Sequence, residues 1–186
     1  MTSHPPPDEA ARARDAEFAR FFADYQPKAV AFVQSLEQAM PHDDVREIVS
    51  PAFLAIYTRW DKITNPGAYL FKTLRNGIKE RHRTSVRHAL LVQRLTPSRT
   101  SQVNSPDPLE REISDDYVKA ALQQLPPAMR QVAVMKWMLD LPDSLIAEAL
   151  GITRSTVTTH LTRATRRLQQ FFGTTATEPG TGKEER

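Results

Sequence analysis

Between Leu150 and Leu168 the sequence LGITRSTVTTHLTRATRRL sets short hydroxyls and long guanidiniums at helical intervals. Val157, Leu161, Ala164 and Leu168 recur at i, i+4, i+7 and i+11 and claim the inward side of one helix. Arg154, Ser155, Thr156, Thr158, Thr159, His160, Thr162, Arg163, Arg166 and Arg167 are left to the remaining surface, with no acid from Thr153 to Phe172. Guanidiniums grip phosphates, hydroxyls reach phosphates and base edges, and a major groove admits one helix. A plain helical hairpin with a solvated basic face would look similar. The preceding residues favour DNA. Leu145, Ile146, Ala149 and Leu150 make a short helix, and Ala147 is small where two helices would cross. Gly151 suits the left-handed residue that ends a helix, Ile152 packs in the turn, and Thr153 can cap the next helix. Together they predict a helix-turn-helix.

A second cluster of bases lies upstream. Arg59, Lys62, Lys72, Arg75, Lys79, Arg81, Arg83, Arg87, Arg94 and Arg99 face only Asp61 and Glu80 as acids over that stretch. Lys72, Arg75 and Lys79 are spaced for one helical face. Trp60, Tyr69 and Phe71 interleave with the charges. Basic tracks with aromatics suit single-stranded or distorted nucleic acid, whose unstacked bases need a flat partner. The alternative gives the rings to the core and the charges to water.

Catalytic and metal chemistry find little here. His4, His42, His82, His88 and His160 form no metalloprotease pair and no triad. The run His42, Asp43, Asp44 reads as a helix start rather than a metal site. With 6 glycines in all, no glycine-rich phosphate loop is present. With 0 cysteines, disulfides, thiolate metal sites and direct thiol redox sensing are excluded. The expectation is a protein that is no enzyme and holds no cofactor or metal. A net charge of +3 across 186 residues decides little, so the position of the bases matters more than their sum. No stretch approaches the roughly 20 apolar residues of a membrane span, and no apolar leader opens the chain, so a soluble cytoplasmic protein is expected.

The elements that must position these residues are helical nearly throughout. Phe18, Phe21, Phe22 and Tyr25 form one stripe, and Pro27 is read as restarting a helix that carries Val30, Val33 and Leu36. A third helix is expected from about Asp43 to Arg59, burying Val45, Ile48, Val49, Ala52, Phe53 and Ile56, with a kink or break at Pro51. Asn65 should cap a helix that begins at Pro66, runs at least to Arg83, and turns Tyr69, Leu70, Leu74 and Ile78 inward. Farther on, Val118, Leu122 and Leu125 share a helix. Pro126 and Pro127 start another, with Val132, Val134, Met135, Met138 and Leu139 apolar. The resulting division is a disordered lead over 1–14, a helical domain over 15–95, a Pro/Ser-rich flexible linker over 96–109, a second helical domain over 110–172, and a disordered tail over 173–186. The fold class is all-α, in two small helical domains.

DDVREIVSPAFLAIYTRWDKITNPGAYLFKTLRNGIKERHR resembles the second region of bacterial sigma factors of the extracytoplasmic-function group. LQQLPPAMRQVAVMKWMLDLPDSLIAEALGITRSTVTTHLTRATRRL resembles their fourth region, and YQPKAVAFV is similar to their opening helices. Both motifs occur in this order with no third region between. The resemblance implies a protein that joins core RNA polymerase, recognises promoter DNA, melts the minus-ten element and starts transcription. It implies that Asp44, Glu47, Ile48, Phe53 and Leu54 face the polymerase clamp helices. The loop Trp60 to Asn65, including Lys62, would hold a flipped minus-ten base. Lys72, Arg75, Asn76, Lys79, Arg81 and Arg83 would hold backbone and neighbouring bases. The last helix would read the minus-thirty-five duplex. The family also allows for an anti-sigma factor as partner. This chain departs from the family pattern at Ser50 and Pro51, where a Gln-Glu pair is usual, and at Pro142, where a capping Ser is common. It departs again at Thr158 and His160, where Lys and Arg are frequent.

Three other readings stand beside this one. TVTTHL also resembles the recognition helix of response-regulator output domains. A regulator of that kind would bind operator DNA as a dimer without polymerase, and the upstream basic cluster would have no task. An enzyme lacks its residues. A protein that mimics nucleic acid should be acidic, and these faces are basic.

Overall fold

Packing in the first part of the chain follows directly from the apolar stripes. The computed structural model describes residues 7–38, 40–95 and 115–175. The described elements are helices with no strand among them, and they divide into two compact units. The first contains α1 (Pro7–Leu36), α2 (His42–Tyr57), a 3-10 turn (Trp60–Lys62) and α3 (Pro66–Leu95). The second contains α4 (Asp115–Gln123), α5 (Pro127–Ala133), a π turn (Val134–Met138), α6 (Asp143–Leu150) and α7 (Arg154–Thr175).

In the first unit α1 and α2 each pack on α3 and on one another. Ala29, Phe32 and Val33 of α1 meet Val45, Val49, Ala52 and Ile56 of α2 and Leu70, Phe71, Leu74 and Ile78 of α3 in one core. The rings of Phe32 and Phe71 meet edge to face at 5.2 Å. Burying a ring such as Phe71 contributes about 1.5–3 kcal/mol. Gly77 lets α2 and α3 close up: a Cβ there would lie 3.0 Å from Ile48 Cγ2.

The helix ends differ from the expected ones in instructive places. α1 is a single helix with Pro27 inside it, not one helix restarted by proline. Proline forfeits one backbone bond, at a cost of about 3 kcal/mol in a helix interior. Aromatic packing before it and the Ala29, Phe32 and Val33 face after it hold the helix through that gap. α1 also begins at Pro7, so residues 7–14 of the expected disordered lead are helical. α2 likewise runs through Pro51 without a break, because apolar residues are buried on both sides of it. All six of the residues expected to be buried there, Val45, Ile48, Val49, Ala52, Phe53 and Ile56, are buried. Asn65 caps α3 as expected, with its Oδ1 accepting the Ala68 N–H at 3.1 Å. α3 continues to Leu95, and α7 extends to Thr175, past the expected end of its domain. The expected linker over 96–109 and residues 176–186 lie outside the described residues.

In the second unit α5 packs on α7, with Val132, Ala133, Val134 and Met135 buried. Of the apolar residues here, Val118 and Met138 are partly exposed, and Leu139 and Leu141 are buried. The π turn explains Met138: its i→i+5 bonding rotates the end of the segment away from the α-helical stripe. Arg130 closes the end of α4 by donating from Nε to the Leu122 carbonyl at 3.1 Å and from Nη2 to the Gln123 carbonyl at 2.8 Å.

Candidate nucleic-acid interface

The helix-turn-helix is built as its residues dictate. Gly151 takes φ +68°, which a side chain would resist. The Ile152 N–H donates to the Ala147 carbonyl at 2.9 Å and the Gly151 N–H to the Glu148 carbonyl at 3.2 Å, a Schellman closure of α6. Thr153 then opens α7, its Oγ1 accepting the Thr156 N–H at 3.1 Å. Lys136 and Asp143 pair at 2.8 Å and tie the π turn to the start of α6.

On α7, Val157 and Ala164 are buried and Leu161 and Leu168 half-buried, so the predicted stripe faces inward. Arg154, Ser155, Thr158, Thr159, Thr162, Arg163, Arg166 and Arg167 are all exposed. Ser155, Thr159, Thr162 and Arg166, at i, i+4, i+7 and i+11, form one outward row. Three hydroxyls on this face donate to their own helix: Thr158 to the Arg154 carbonyl at 3.2 Å, Thr159 to the Ser155 carbonyl at 2.9 Å and Thr162 to the Thr158 carbonyl at 3.0 Å. With their protons occupied, these oxygens offer lone pairs outward. They suit base amino groups, such as cytosine N4 or adenine N6, better than acceptors. Two expected contacts stand apart from the open face. Thr156 is half-buried within the cap, its hydroxyl 2.8 Å from that of Thr153. His160 is half-buried, with Nδ1 enclosed and without a hydrogen-bond partner among the described residues.

The first unit presents a different surface. Lys72, Asn76, Lys79 and Arg83, at i, i+4, i+7 and i+11 of α3, are exposed in one row, opposite the buried Leu70, Leu74 and Ile78. Arg75 is half-buried at the edge of that row. Lys62 and Thr64 are exposed on the loop that precedes α3, where Asn65 is half-buried at the helix cap. Arg83 also lies 3.5 Å from Glu80.

Four of the expected contacts need correction. Ile48 and Phe53 are 8% and 4% exposed, so both belong to the core and cannot meet a partner. Leu54, beside them, is 63% exposed and takes the outward position. Trp60 is packed edge-on to Phe18 at 5.4 Å and against Phe21 at 5.3 Å, which makes it part of an aromatic cluster rather than a free stacking plane. Arg81 turns away from the basic row toward α2, where it pairs with Asp44 and lies 3.4 Å from Glu47. Asp44 and Glu47, expected as contacts of the polymerase, therefore share a cation. Phe71 is fully buried and Tyr69 half-buried, with its hydroxyl accepting from Arg59 at 2.8 Å.

Arg14 escaped the sequence reading. It sits at i−4 from Phe18, a lone cation on the stripe that continues through Phe21 and Tyr25, and that position was the available signal. Its guanidinium donates to the Tyr57 carbonyl at 2.6 Å. The Tyr57 hydroxyl donates to Asp15 at 3.0 Å, and this bond, reinforced by the carboxylate charge, raises the tyrosine above its ordinary pKa. Tyr25 is raised as well, chiefly by burial.

No helix among the described residues is long and apolar enough to cross a membrane, and no acidic, histidine or cysteine cluster among them could hold a metal ion.

Residues 115–168 match the family Sigma-70, region 4. No curated protein sequence matches the chain. Among solved structures, the sigma factor RpoE in complex with the anti-sigma factor NepR from Bartonella quintana is 22% identical, covering 84% of this chain and 97% of its own, at a TM-score of 0.64. CnrH in complex with the cytosolic domain of CnrY is 20% identical, covering 89% of this chain and 95% of its own, at a TM-score of 0.60. At these identities the likeness is one of fold. The second unit therefore carries a region 4 sequence, and the chain shares its fold with these two solved structures along most of its length.

Proposed function

We propose that the chain is a sigma factor, which joins core RNA polymerase and directs it to promoters. The observation that carries this reading is the exposed, acid-free basic face of α7, set on a capped helix-turn-helix within a stretch that matches Sigma-70, region 4. In this role α7 enters the major groove of the minus-thirty-five element. Arg154, Arg163, Arg166 and Arg167 hold phosphates and the threonine oxygens meet base edges.

The first unit, over about 15–95, handles the minus-ten element. Flipping one base costs a few kcal/mol, and a surface that binds only the extruded strand offsets that cost. Lys62 on the loop and Lys72, Asn76, Lys79 and Arg83 on α3 supply that surface, with Arg75 at its edge. The polymerase side is α2, through Leu54, Glu47 and Asp44. Pro51, where the resemblance expects an acid, opens into a groove of about 570 Å³ between α2 and α3, lined by Glu47, Ile48, Ala52, Thr73 and Gly77 among others. Glu80 and Arg81 also line it, so the groove keeps charged groups although Pro51 itself carries none. The resemblance and the complexes of RpoE with NepR and of CnrH with CnrY support a further protein partner that restrains the chain.

Transcription in vitro with purified core polymerase on genomic fragments tests the reading. New start sites that depend on the chain are expected. Binding to closed DNA without any start site would instead favour the stand-alone regulator.

A further inference from the structure

We propose that the first turns of α1 form a clasp that holds the Thr58–Asn65 loop in its strand-receiving shape, with Arg14 and Phe18 as positioning residues. The inference rests on the minus-ten reading of that loop given above. α2 ends at Tyr57, and the last carbonyls of a helix lack partners within it. Arg14 supplies one: its Nη2 donates to the Tyr57 carbonyl at 2.6 Å, and a cation is favoured at that end of the helix dipole. The same guanidinium lies 4.9 Å from the centre of the Tyr57 ring. Its buried Nε stands 3.4 Å from Asp61 Oδ2, in the 3-10 turn. One side chain therefore ties together the residues on both sides of Thr58–Trp60.

Two further contacts make the tie specific. Asp15, the next residue of α1, accepts from the Tyr57 hydroxyl at 3.0 Å. Phe18, one turn on, meets Tyr57 at 4.9 Å and Trp60 at 5.4 Å, the latter edge-on at 89°. Trp60 is thereby a fixed wall of the loop, while Thr58, Arg59, Asp61, Lys62 and Thr64 are exposed, with Asp61 drawn toward Arg14. A wall held from behind sets the direction of the loop backbone before any strand arrives. Such pre-organisation removes ordering cost at binding.

The chain has 2 tryptophans, so Trp137→Phe leaves Trp60 as the sole reporter. In that full-length background Arg14→Ala, Arg14→Lys and Phe18→Ala are compared. Each is assayed with core polymerase on a pre-melted promoter and on a duplex fragment that carries only the minus-thirty-five element. Arg14→Ala should red-shift Trp60 emission and raise its quenching by acrylamide. It should weaken pre-melted binding roughly tenfold, the loss expected for a charge-assisted hydrogen bond. Duplex binding and far-ultraviolet helicity should hold. Arg14→Lys keeps the charge but not the fork and should recover part of the loss. Unchanged Trp60 emission and strand affinity in both Arg14→Ala and Phe18→Ala overturn the clasp, as does an equal loss on both DNAs. If the starting chain itself binds no pre-melted strand, the minus-ten reading fails, and the strand-receiving role of the clasp fails with it. That outcome is told from failure of the clasp alone by the unmutated control.

Discussion

The two basic helices spend their charge differently. On α7 the arginines at 154, 163, 166 and 167 are exposed, and among the described residues none is paired with an acid. On α3 the cations are divided. Lys72 and Lys79 point to solvent, Arg83 stands near Glu80, and Arg81 is held by Asp44 and Glu47. A surface of unpaired cations attracts any phosphate, though each long side chain loses rotamer freedom when it binds. A surface whose cations brace its own helices has less charge to offer and more shape. On the proposed reading, salt-sensitive duplex affinity belongs to α7, and strand selection by geometry to α3 and its loop.

The largest effect should come from emptying the α7 face. Replacing Arg163, Arg166 and Arg167 together by Ala should flatten the log–log salt slope of duplex binding by about 2.7, at about 0.9 per phosphate. It should lower affinity roughly a hundred- to a thousandfold at moderate salt. Titration of a duplex minus-thirty-five fragment at several salt concentrations measures both, and a slope that does not move would take these arginines off the phosphates. The next effect belongs to the first unit alone. Gly77→Val drives a branched side chain into Ile48 Cγ2, already 3.0 Å from where a Cβ would stand. Overpacking of this kind costs about 1–3 kcal/mol. Calorimetry should show the first unit melting earlier while duplex binding by α7 is retained. A parallel loss of duplex binding would mean the two surfaces are not separable.

A smaller effect attends Thr153→Ala, which removes the cap from α7 and should cost about 1 kcal/mol, with Thr153→Ser close to neutral. Thermal unfolding of the two variants checks it. A Thr153→Ala chain as stable as the parent would show that the hydroxyl cluster with Ser155 and Thr156 contributes nothing to the start of the helix.

Much of this arrangement was legible because it is local. Helical period alone located the inward faces of α2 and α7, and Gly151 and Thr153 marked the turn because backbone conformation and capping are decided within a few residues. What escaped detection is tertiary. The spacing of Ile48 and Phe53 placed both on the buried stripe, yet the family resemblance assigned them a partner; burial decides between those readings. Trp60 carried the right chemistry for stacking, but a stripe of rings forty residues upstream, at Phe18 and Phe21, occupies it. Arg14 looked like part of a polar lead because its acceptor, the Tyr57 carbonyl, is a backbone group that no residue type reveals. The π turn left no periodic signature in five residues, so the outward turn of Met138 could not be read from spacing.

Arg81 gives the finest test of the comparison, because it separates a cation that binds nucleic acid from one that binds its own protein. It lies three residues beyond the buried Ile78 and two beyond the exposed Lys79, on the side of α3 that looks toward α2. With its charge shared between Asp44 and Glu47, it releases no counterion when a strand arrives. Lys79→Ala should therefore flatten the salt slope of pre-melted promoter binding by about 0.7, the value per contact on a single strand. Arg81→Ala should leave that slope where it is and act on the polymerase side, where two carboxylates lose their shared partner and repel each other on α2. Affinity for core polymerase, measured by titration without DNA, should fall in Arg81→Ala and be unchanged in Lys79→Ala. If Arg81→Ala instead flattens the slope as Lys79→Ala does, the side chain leaves Asp44 and Glu47 for the strand, and the charge on α3 is no more spoken for than the charge on α7.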